Sequence, residues 1–557
     1  MNAPALPMES PTAFPTFSDA LGRAAARRTG PALWDGGRWR TWQDCLRQAE
    51  RTAGALHRRG FTAGDVLAAQ LPNSWELVVL HAATARLGVL LLPLHRAYGS
   101  REARVLIEQS GAIGLVTDSF RRGHDRVGEI LTLRERCASL RHVWVRTTGA
   151  PLTGAALRDH TELFDEEPEP SSELPPAPRD PHAPLVLLAS SGTTSQRPKL
   201  CVHSHGGLLG NAAAVAADGG LGAADTVVSA SPLSHAFGLL SVHLALVTGG
   251  AVGLFGAWDA RRFADALAAT SATAAFAVPA QLRDLIGLPA ADGAPAGPVL
   301  PALREVRTGG APVPRELADG VRRTLGARLV VQWGMTEVGA GTYTRPGDPP
   351  EAAFTIGRPA SGAQVRVLNG DGDPAAPGET GELQYRSPYM FSGYFRAPEQ
   401  TAAALTPDGW LRSGDLAALG PDGSVSYRGR SDELINRGGL KFSALEVEEL
   451  LDDLPQLAQH AVVGRPDPRL GQRSCLLGAL REGARLTLED VTEHLSRKGL
   501  ATYKLPEQLV LVDRLPTTVT GKIARARLKT IPLPPLAPRT PRRAPEPVAA
   551  PAAGETT

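Results

Sequence analysis

A segment rich in hydroxyl groups follows an apolar stretch in the first half of the chain. Residues 190–199 read SSGTTSQRPK and come directly after the strand-like run Leu185–Ala189. Backbone N–H groups, hydroxyl groups and one cation are the features with which a loop binds polyphosphate. A P-loop needs glycine just before its lysine and Ser or Thr just after it, and Pro198 and Leu200 stand there instead. The segment therefore predicts a phosphate-binding loop of another kind, with a flexible Ser/Thr linker as the alternative.

Later segments carry groups suited to a nucleoside and to a cation. In QWGMTE, residues 332–337, Trp333 offers a flat face for a base and Glu337 offers the oxygen ligands that Mg2+ prefers. Asp415 can accept hydrogen bonds from both ribose hydroxyls, and Arg430 can add a charged donor to the same sugar. Each has an ordinary alternative, because a buried Trp usually belongs to the core and single charges usually lie on the surface.

Nine short motifs occur along the chain in one order. They are SSGTTSQRPK at 190–199, PLSHAFG at 232–238, TGGAP at 308–312, QWGMTE at 332–337, TIGRP at 355–359, GETGEL at 378–383, SGDL at 413–416, YRGRSDELINRGG at 427–439 and TVTGK at 518–522. Together they resemble the motifs of the acyl-adenylate-forming enzymes, which include acyl- and aryl-CoA ligases, aryl-acid AMP ligases, adenylation domains of peptide synthetases and firefly luciferase. Ser195 and Leu200 depart from the commoner pattern, which often has glycine at both positions.

This resemblance implies a site for ATP. It assigns the β- and γ-phosphates to Thr193, Thr194 and Lys199, in a loop shaped by Ser190, Ser191 and Gly192. It assigns the remaining nucleotide contacts to Gly309, Gly310, Ala311, Gln332, Trp333, Gly334, Met335, Thr336, Glu337, Asp415 and Arg430. Mg2+ is expected on Glu337 and Thr193.

The reaction that the resemblance implies has two steps. A carboxylate first attacks the α-phosphorus of ATP to give an acyl-adenylate and pyrophosphate, and the implied catalytic residues are Lys522, Lys199, Thr193 and His235. A cation at Lys522 would lower the repulsion between the attacking carboxylate and the phosphate. The alternative is that Lys522 is an exposed loop lysine that only contributes to solubility. A C-terminal domain then rotates about Asp432 and presents Gly438 and Gly439 to an acceptor thiol, either CoA or a carrier-protein phosphopantetheine.

The acid itself is not determined. The implied pocket contains His235, Ala236, Gly310 and Gly334, although a core histidine would look the same as His235 in the sequence. Relatives that activate salicylate or dihydroxybenzoate usually carry Asn at the position of Ala236, where it binds the ortho hydroxyl of the acid. Alanine cannot make this hydrogen bond, which counts against these two acids. An aromatic acid with another substitution pattern or a medium-sized apolar acid therefore stays open. An amide-forming ligase and a non-catalytic nucleotide-binding protein are the alternative functions.

The elements that must position these residues are those of an α/β protein. At 557 residues the chain exceeds one core, and apolar strand-like runs alternate with helical stretches. We predict a large AMP-binding domain over 1–430, built of layered α/β subdomains with a β-rich subdomain over 364–427. A small, mobile α+β domain follows over 431–530, and 531–557 is predicted as a disordered Pro- and Ala-rich tail.

Composition limits the classes of partner and of site. The formal charge of +2 carries no sign of nucleic-acid binding. The four cysteines lie far apart, without zinc-site spacing, which fits a reducing cytoplasm. The first residues lack the pattern of a secretory signal. The apolar stretches 76–94 and 239–255 are interpreted as a buried helix, a glycine and a buried strand rather than as membrane spans.

Overall fold

The chain divides into two compact units in its computed structural model. The structure describes residues 15–121, 124–147, 157–165, 174–190, 198–288, 300–311, 313–437, 440–467, 471–498, 500–518, 522–528 and 531. The large unit contains Met1–Leu434 and Thr517–Lys522, and the small unit contains Ile435–Pro516 and Ile523–Thr557. By its contacts, Thr517–Lys522 thus groups with the large unit. The tail predicted as disordered lies outside the described residues, except for Ile531.

The regular elements are spread along the whole described chain. The α-helices are α1 Phe17–Arg27, α2 Trp42–Arg58, α3 Trp75–Leu87, α4 Ser100–Ser110, α5 Val127–Arg136, α6 Thr161–Phe164, α7 His205–Gly219, α8 Ala236–Thr248, α9 Ala260–Ala269, α10 Pro279–Ile286, α11 Arg315–Leu325, α12 Pro398–Ala404, α13 Ala444–Glu449, α14 Leu488–Arg497 and α15 Arg525–Leu528. Short 3-10 turns occur at Pro350–Phe354, Ser431–Glu433 and Thr502–Lys504.

The strands of the large unit precede those of the small one. In chain order they are β1 Leu33–Asp35, β2 Arg38–Arg40, β3 Val66–Gln70, β4 Leu90–Pro93, β5 Gly114–Asp118, β6 Phe120–Arg121, β7 His124–Asp125, β8 His142–Arg146, β9 Arg158–Asp159, β10 Pro184–Ser190, β11 Lys199–Ser204, β12 Thr226–Ser229, β13 Ala251–Leu254, β14 Ala274–Phe276, β15 Glu305–Gly309, β16 Arg328–Trp333, β17 Thr342–Tyr343, β18 Arg358–Pro359, β19 Gln364–Leu368, β20 Gly381–Arg386, β21 Gly393–Tyr394, β22 Leu411–Leu419, β23 Val425–Arg430, β24 Leu434–Arg437, β25 Leu440–Ser443, β26 Leu457–Asp467, β27 Gly471–Leu480 and β28 Gln508–Leu511.

Two largely parallel sheets form the body of the large unit. The nine-stranded sheet has the order β18-β17-β16-β15-β14-β12-β13-β1-β2, and its strands from β16 to β1 run parallel. The eight-stranded sheet has the order β21-β11-β10-β4-β3-β5-β8-β9, and its strands from β10 to β9 run parallel. Strands such as β3 and β12 are buried along their whole length, as is typical of parallel strands covered on both faces. The predicted α/β fold is confirmed.

One hydrophobic core joins the two sheets. It contains Leu67 and Leu91 of the eight-stranded sheet, Leu33 and Val252 of the nine-stranded sheet, and buried residues of α2, α3 and α8. The apolar stretches 76–94 and 239–255 form a helix, a glycine and a strand, as predicted: α3 runs into β4 and α8 runs into β13. Among the described residues, no helix has the length and apolar character needed to cross a membrane.

Two smaller sheets account for the remaining β-structure of interest. The antiparallel sheet β19-β20-β22-β23 lies in the large unit and covers the segment predicted to be β-rich. The small unit has its own sheet, β25-β24-β27-β26, with β28 beside β27. Its helix α13 begins at Ala444, with Ser443 as the N-cap residue. The Ser443 hydroxyl accepts the N–H of Leu445, while Glu446 pairs with Lys504.

A group of buried histidines connects helices and strands of the large unit. The Nε2 atoms of His81 in α3 and His243 in α8 lie 3.0 Å apart, which requires one donor and one acceptor. His205 accepts the N–H of Phe17 at Nδ1, at 3.0 Å. Burial lowers the pKa of His203 and of His205 to about 4 and that of His243 to about 3. These side chains are therefore neutral in the folded protein near pH 7.

We expect the large unit to lose stability as the pH falls below about 6.5. In that range the histidines of the unfolded chain bind protons while the folded ones stay neutral down to pH about 4, so the free energy of unfolding decreases. Each such histidine adds a slope of about 1.4 kcal/mol per pH unit. Urea unfolding followed by Trp fluorescence measures this, because all eight Trp residues lie within Met1–Leu434.

The variant His205→Gln should have a shallower slope between pH 4 and 6, by about the contribution of one histidine. The exposed His182 provides the matched control, and His182→Gln should follow the unsubstituted protein. Equal slopes for His205→Gln and the unsubstituted protein would contradict the expectation.

Candidate active site

Several predicted residues follow the carboxyl ends of neighbouring parallel strands. In the nine-stranded sheet, β15 ends at Gly309 and β16 ends at Trp333, while β12 leads into the loop that contains His235. Because these strands run parallel, their carboxyl ends share one edge of the sheet, which is where ligands bind in open α/β sheets. The candidate site lies at this edge.

The ends of the predicted phosphate loop lie side by side. Ser190 ends β10, Lys199 begins β11, and the two residues are cross-strand partners in an antiparallel pair. The remaining predicted loop residues Ser191, Gly192, Thr193 and Thr194 lie outside the described residues. The pairing of β10 with β11 therefore fixes both ends of the loop, which leaves the sheet after Ser190 and rejoins it at Lys199.

Tyr394 connects Lys199 with Glu337, although the sequence analysis did not select it. The Nζ atom of Lys199 lies 4.6 Å from the centroid of the Tyr394 ring, and the Tyr394 hydroxyl donates to Oε1 of Glu337 at 2.8 Å. Burial and the nearby Glu337 raise the pKa of the tyrosine, so its hydroxyl remains a donor. Tyr394 and Glu337 are 57 residues apart, and no motif or periodicity in the sequence predicts this contact.

Trp333, Asp415 and Arg430 come together in the large unit. The indole Nε1–H of Trp333 donates to Oδ2 of Asp415 at 2.8 Å, and Nη1 of Arg430 donates to Oδ1 at 2.9 Å. Asp415 and Arg430 are cross-strand partners on β22 and β23. The residues predicted to bind the base and the ribose are thus direct neighbours.

The segment after Trp333 is held in a tight loop. A Cβ atom on Gly334 would collide with the carbonyl oxygen of Gly339, so the chain can close here only through glycine. Asn211 of α7 binds Ala340 twice, accepting its N–H at Oδ1 and donating from Nδ2 to its carbonyl, both at 2.9 Å. His203 contacts the carbonyl of Thr336 through Nε2 at 2.7 Å. The QWGMTE motif marks this loop in the sequence, whereas Asn211 and His203 belong to distant segments that no motif marks.

Gly310 and Lys522 meet within the large unit. Gly310 has φ of +79°, and a Cβ atom there would stand 2.5 Å from Nζ of Lys522. The neighbouring Gly309 and Ala311 are described as well, with Gly309 close to the backbone of Gln332. Desolvation around the ammonium group lowers the pKa of Lys522, and the carboxylate of Asp415 acts in the opposite direction. The lysine predicted to act in adenylation therefore faces the predicted nucleotide segment.

His235 precedes α8 and has a second histidine beside it. The ring centroids of His235 and His95 lie 5.1 Å apart. Burial lowers the pKa of His235 to about 3, and the charges of His95 and Lys522 act in the same direction, so the imidazole is neutral near pH 7. Ala236 is the first residue of α8 and is partly buried. His95 was missed because it lies far from the PLSHAFG motif in the chain.

Several buried polar atoms at this edge have no hydrogen-bond partner among the described residues. Such atoms are rare in folded proteins, and each one calls for a ligand, a water molecule or another explanation. They are Oγ of Ser231 and of Ser234, Nε2 of His235, Oγ1 of Thr308 and Oε1 of Gln332. All follow or end β12, β15 and β16, which favours a polar ligand at the carboxyl edge of the sheet.

The predicted second-step residues are only partly described. Asp432 lies in the 3-10 turn Ser431–Glu433, next to the division between the two units. Gly438 and Gly439 lie outside the described residues.

The sequence matches known families along most of its length. Residues 22–395 match the AMP-binding enzyme family, and residues 446–522 match the AMP-binding enzyme C-terminal domain. The chain is 36% identical over 510 residues to a salicylyl-CoA synthase / salicylate adenylyltransferase of Streptomyces sp, covering 90% of each chain. It is 36% identical over 483 residues to a salicyl-AMP ligase / salicyl-S-ArCP synthetase of Mycobacterium tuberculosis, covering 86% of this chain and 82% of that protein.

A solved structure agrees with these matches. The amide bond synthetase McbA of Marinactinospora thermotolerans superimposes with a TM-score of 0.80 at 26% identity, over 92% of this chain and 99% of McbA. The fold, the order of the motifs and the two family matches all indicate the same family. The protein belongs to the AMP-binding enzyme family and is an AMP-forming ligase.

Proposed function

We propose that this ligase activates an aromatic carboxylic acid and transfers the acyl group to a thiol. Activation of a carboxylic acid as its acyl-adenylate, with release of pyrophosphate, follows from membership of the family. The aromatic acid is supported by the two relatives that are named for salicylate. Their names also support CoA or a carrier protein as the source of the acceptor thiol.

The position of Lys522 carries the proposal for the first step. Its ammonium group lies against Gly310 and within the electrostatic reach of Asp415. A cation there stands beside the segment proposed to bind the nucleotide and the acid carboxylate. This arrangement favours Lys522 as the catalytic group of adenylation over a solubilising surface lysine.

In this step, a carboxylate oxygen of the acid attacks the α-phosphorus of ATP. The new O–P bond forms while the bond from the α-phosphorus to the bridging oxygen breaks, and pyrophosphate leaves with that electron pair. We assign the positive charge that offsets the reacting anions to Lys522 and Lys199, with Thr193 as a hydroxyl donor. We place the neutral His235 beside the acid, so the positive charge near the carboxylate is assigned to Lys522 rather than to an imidazolium.

The donor set fits Mg2+ held jointly by protein and nucleotide. Glu337 is a buried carboxylate that binds the neutral hydroxyl of Tyr394, and the described residues contain no group of three metal-binding side chains. One carboxylate together with phosphate oxygens is a usual environment for Mg2+. Glu337 and Thr193 are the proposed ligands, and the bound ion would neutralise part of the phosphate charge.

The cluster of Trp333, Asp415 and Arg430 supports the proposed nucleoside contacts. We assign the base to the face of Trp333 and to the backbone of Gly309, Gly310 and Ala311, and the ribose hydroxyls to Asp415 with Arg430. Gln332, Gly334, Met335 and Thr336 complete this lining. The close packing of Trp333 against Asp415 supports one continuous nucleoside site.

The second step is proposed from the resemblance. Rotation about Asp432 would withdraw Lys522 and bring Gly438 and Gly439 to the pantetheine arm of the acceptor. An amine acceptor is the second candidate, because McbA is an amide bond synthetase. A cytoplasmic location stays a prediction, in keeping with four buried, free cysteines.

Exchange of labelled pyrophosphate into ATP, dependent on an added acid, tests the first step. We expect exchange with aromatic acids, and then a thioester with CoA or with a holo carrier protein. Amide formation with amines and no thioester would overturn the thiol assignment. Nucleotide binding without exchange for any aryl or aliphatic acid would instead support a non-catalytic protein.

Ala236 should disfavour acids that rely on an ortho hydroxyl. We expect the kcat/KM for salicylate not to exceed that for benzoate, and Ala236→Asn to raise the salicylate-to-benzoate ratio about fivefold through one new hydrogen bond. Ala236→Leu has a similar added volume without the polar group and should not raise it. A strong preference for salicylate that Ala236→Asn leaves unchanged would contradict this interpretation.

Gly310→Ala should impair adenylation by displacing Lys522. The methyl group would meet the lysine side chain, so we expect pyrophosphate exchange to fall about tenfold or more. Lys522→Ala should lower it about a hundredfold or more. In the Lys522→Ala background, Gly310→Ala should add little.

Gly326→Ala is the matched control, because Gly326 also has a positive φ, +63°, but has open space around it. Both glycine variants should lose about 1 kcal/mol of stability. Only Gly310→Ala should lose exchange activity, and an unaffected exchange rate in Gly310→Ala would count against the assignment of Lys522.

A further inference from the structure

The indole of Trp333 makes a polar contact that a base-stacking role does not require. Its Nε1–H donates to Oδ2 of Asp415 at 2.8 Å, while Arg430 donates to the other oxygen of the same carboxylate. Both Trp333 and Asp415 are buried, with 6% and 7% of their surfaces exposed. A hydrogen bond to a buried charge contributes more than one between neutral groups.

The indole ring is itself held in place. A Cβ atom on Gly341 would stand 2.6 Å from Cζ3 of Trp333, so the backbone of this glycine packs directly on the ring. The ring of Tyr385 also contacts the indole, with centroids 5.8 Å apart and an interplanar angle of 55°. The N–H group therefore points at Asp415 from a fixed position.

The donors to the Asp415 carboxylate, Trp333 and Arg430, come from different strands and bind different oxygens. Trp333 ends β16 of the nine-stranded sheet, and Arg430 ends β23 of the four-stranded sheet. A carboxylate oxygen can accept more than one hydrogen bond, so both oxygens can also receive ribose hydroxyls. Because each oxygen accepts at least one of these donors, the carboxylate plane is defined before any nucleotide binds.

We propose that Trp333 positions the Asp415 carboxylate through its indole N–H and thereby sets the selectivity of the enzyme for the ribose hydroxyls of its nucleotide. The proposal rests on the proposed binding of the ribose at Asp415. Trp333 is in this respect a positioning residue. Phenylalanine at 333 would offer a face to the base but no donor to the carboxylate.

The test compares ATP with 2′-deoxy-ATP and 3′-deoxy-ATP in acid-dependent pyrophosphate exchange. For Trp333→Phe we expect the ratio of kcat/KM for ATP to that for each deoxynucleotide to fall about fivefold, because a loosely oriented carboxylate gains less from each hydroxyl. Replacement of Trp333 by 3-benzothienylalanine, which exchanges only the N–H for sulfur, should lower the ratio equally and guards against misfolding of Trp333→Phe.

Trp258 provides the matched control, since its Nε1–H donates to Oδ2 of Asp284 at 2.9 Å near the surface. Trp258→Phe should leave the ratio unchanged. In an Asp415→Asn background, Trp333→Phe should no longer change the ratio. If either Trp333 variant weakens ATP and both deoxynucleotides equally, the inference is wrong. Absence of exchange with the unsubstituted protein would overturn the proposed function instead.

Discussion

The proposed nucleotide site depends on the hydrogen bonds that hold the buried carboxylate of Asp415. An unpaired charge is expensive to bury, and here Arg430 and the indole of Trp333 each bind one of its oxygens. Since these partners come from two different sheets, the contact also fastens the end of a parallel strand to the antiparallel sheet. The residues proposed to bind the base and the ribose are therefore held together, and Asp415 also interacts electrostatically with Lys522.

A second buried carboxylate, Glu337, organises the phosphate side in a related way. The Tyr394 hydroxyl donates to Glu337 and the Tyr394 ring contacts the ammonium group of Lys199, so one side chain connects an anion with a cation. This contact holds the residues proposed to bind phosphate and Mg2+ in one cluster. The adjacent rings of the buried His95 and the partly buried His235 also border the candidate site, and His235 is neutral.

Much of the fold was accessible from the sequence because its signals are local. Largely apolar runs of five to seven residues, such as β3, β10 and β16, are typical of strands buried on both faces. The two long apolar stretches resolved into helix, glycine and strand, since the glycines mark where each helix ends. The grouping of Thr517–Lys522 with the large unit was different, because it arises from contacts between segments distant in the chain.

The sequence by itself determined the family and the α/β class, and it supplied most of the candidate site residues, since ordered motifs preserve residue types and their spacing. Tertiary structure alone decided that Trp333 donates to Asp415, that Tyr394 stands between Lys199 and Glu337, and which polar atoms lack partners. The residues in these contacts are tens of residues apart, with no shared periodicity. Their meeting depends on strand order and on close packing of side chains, which local sequence patterns do not encode.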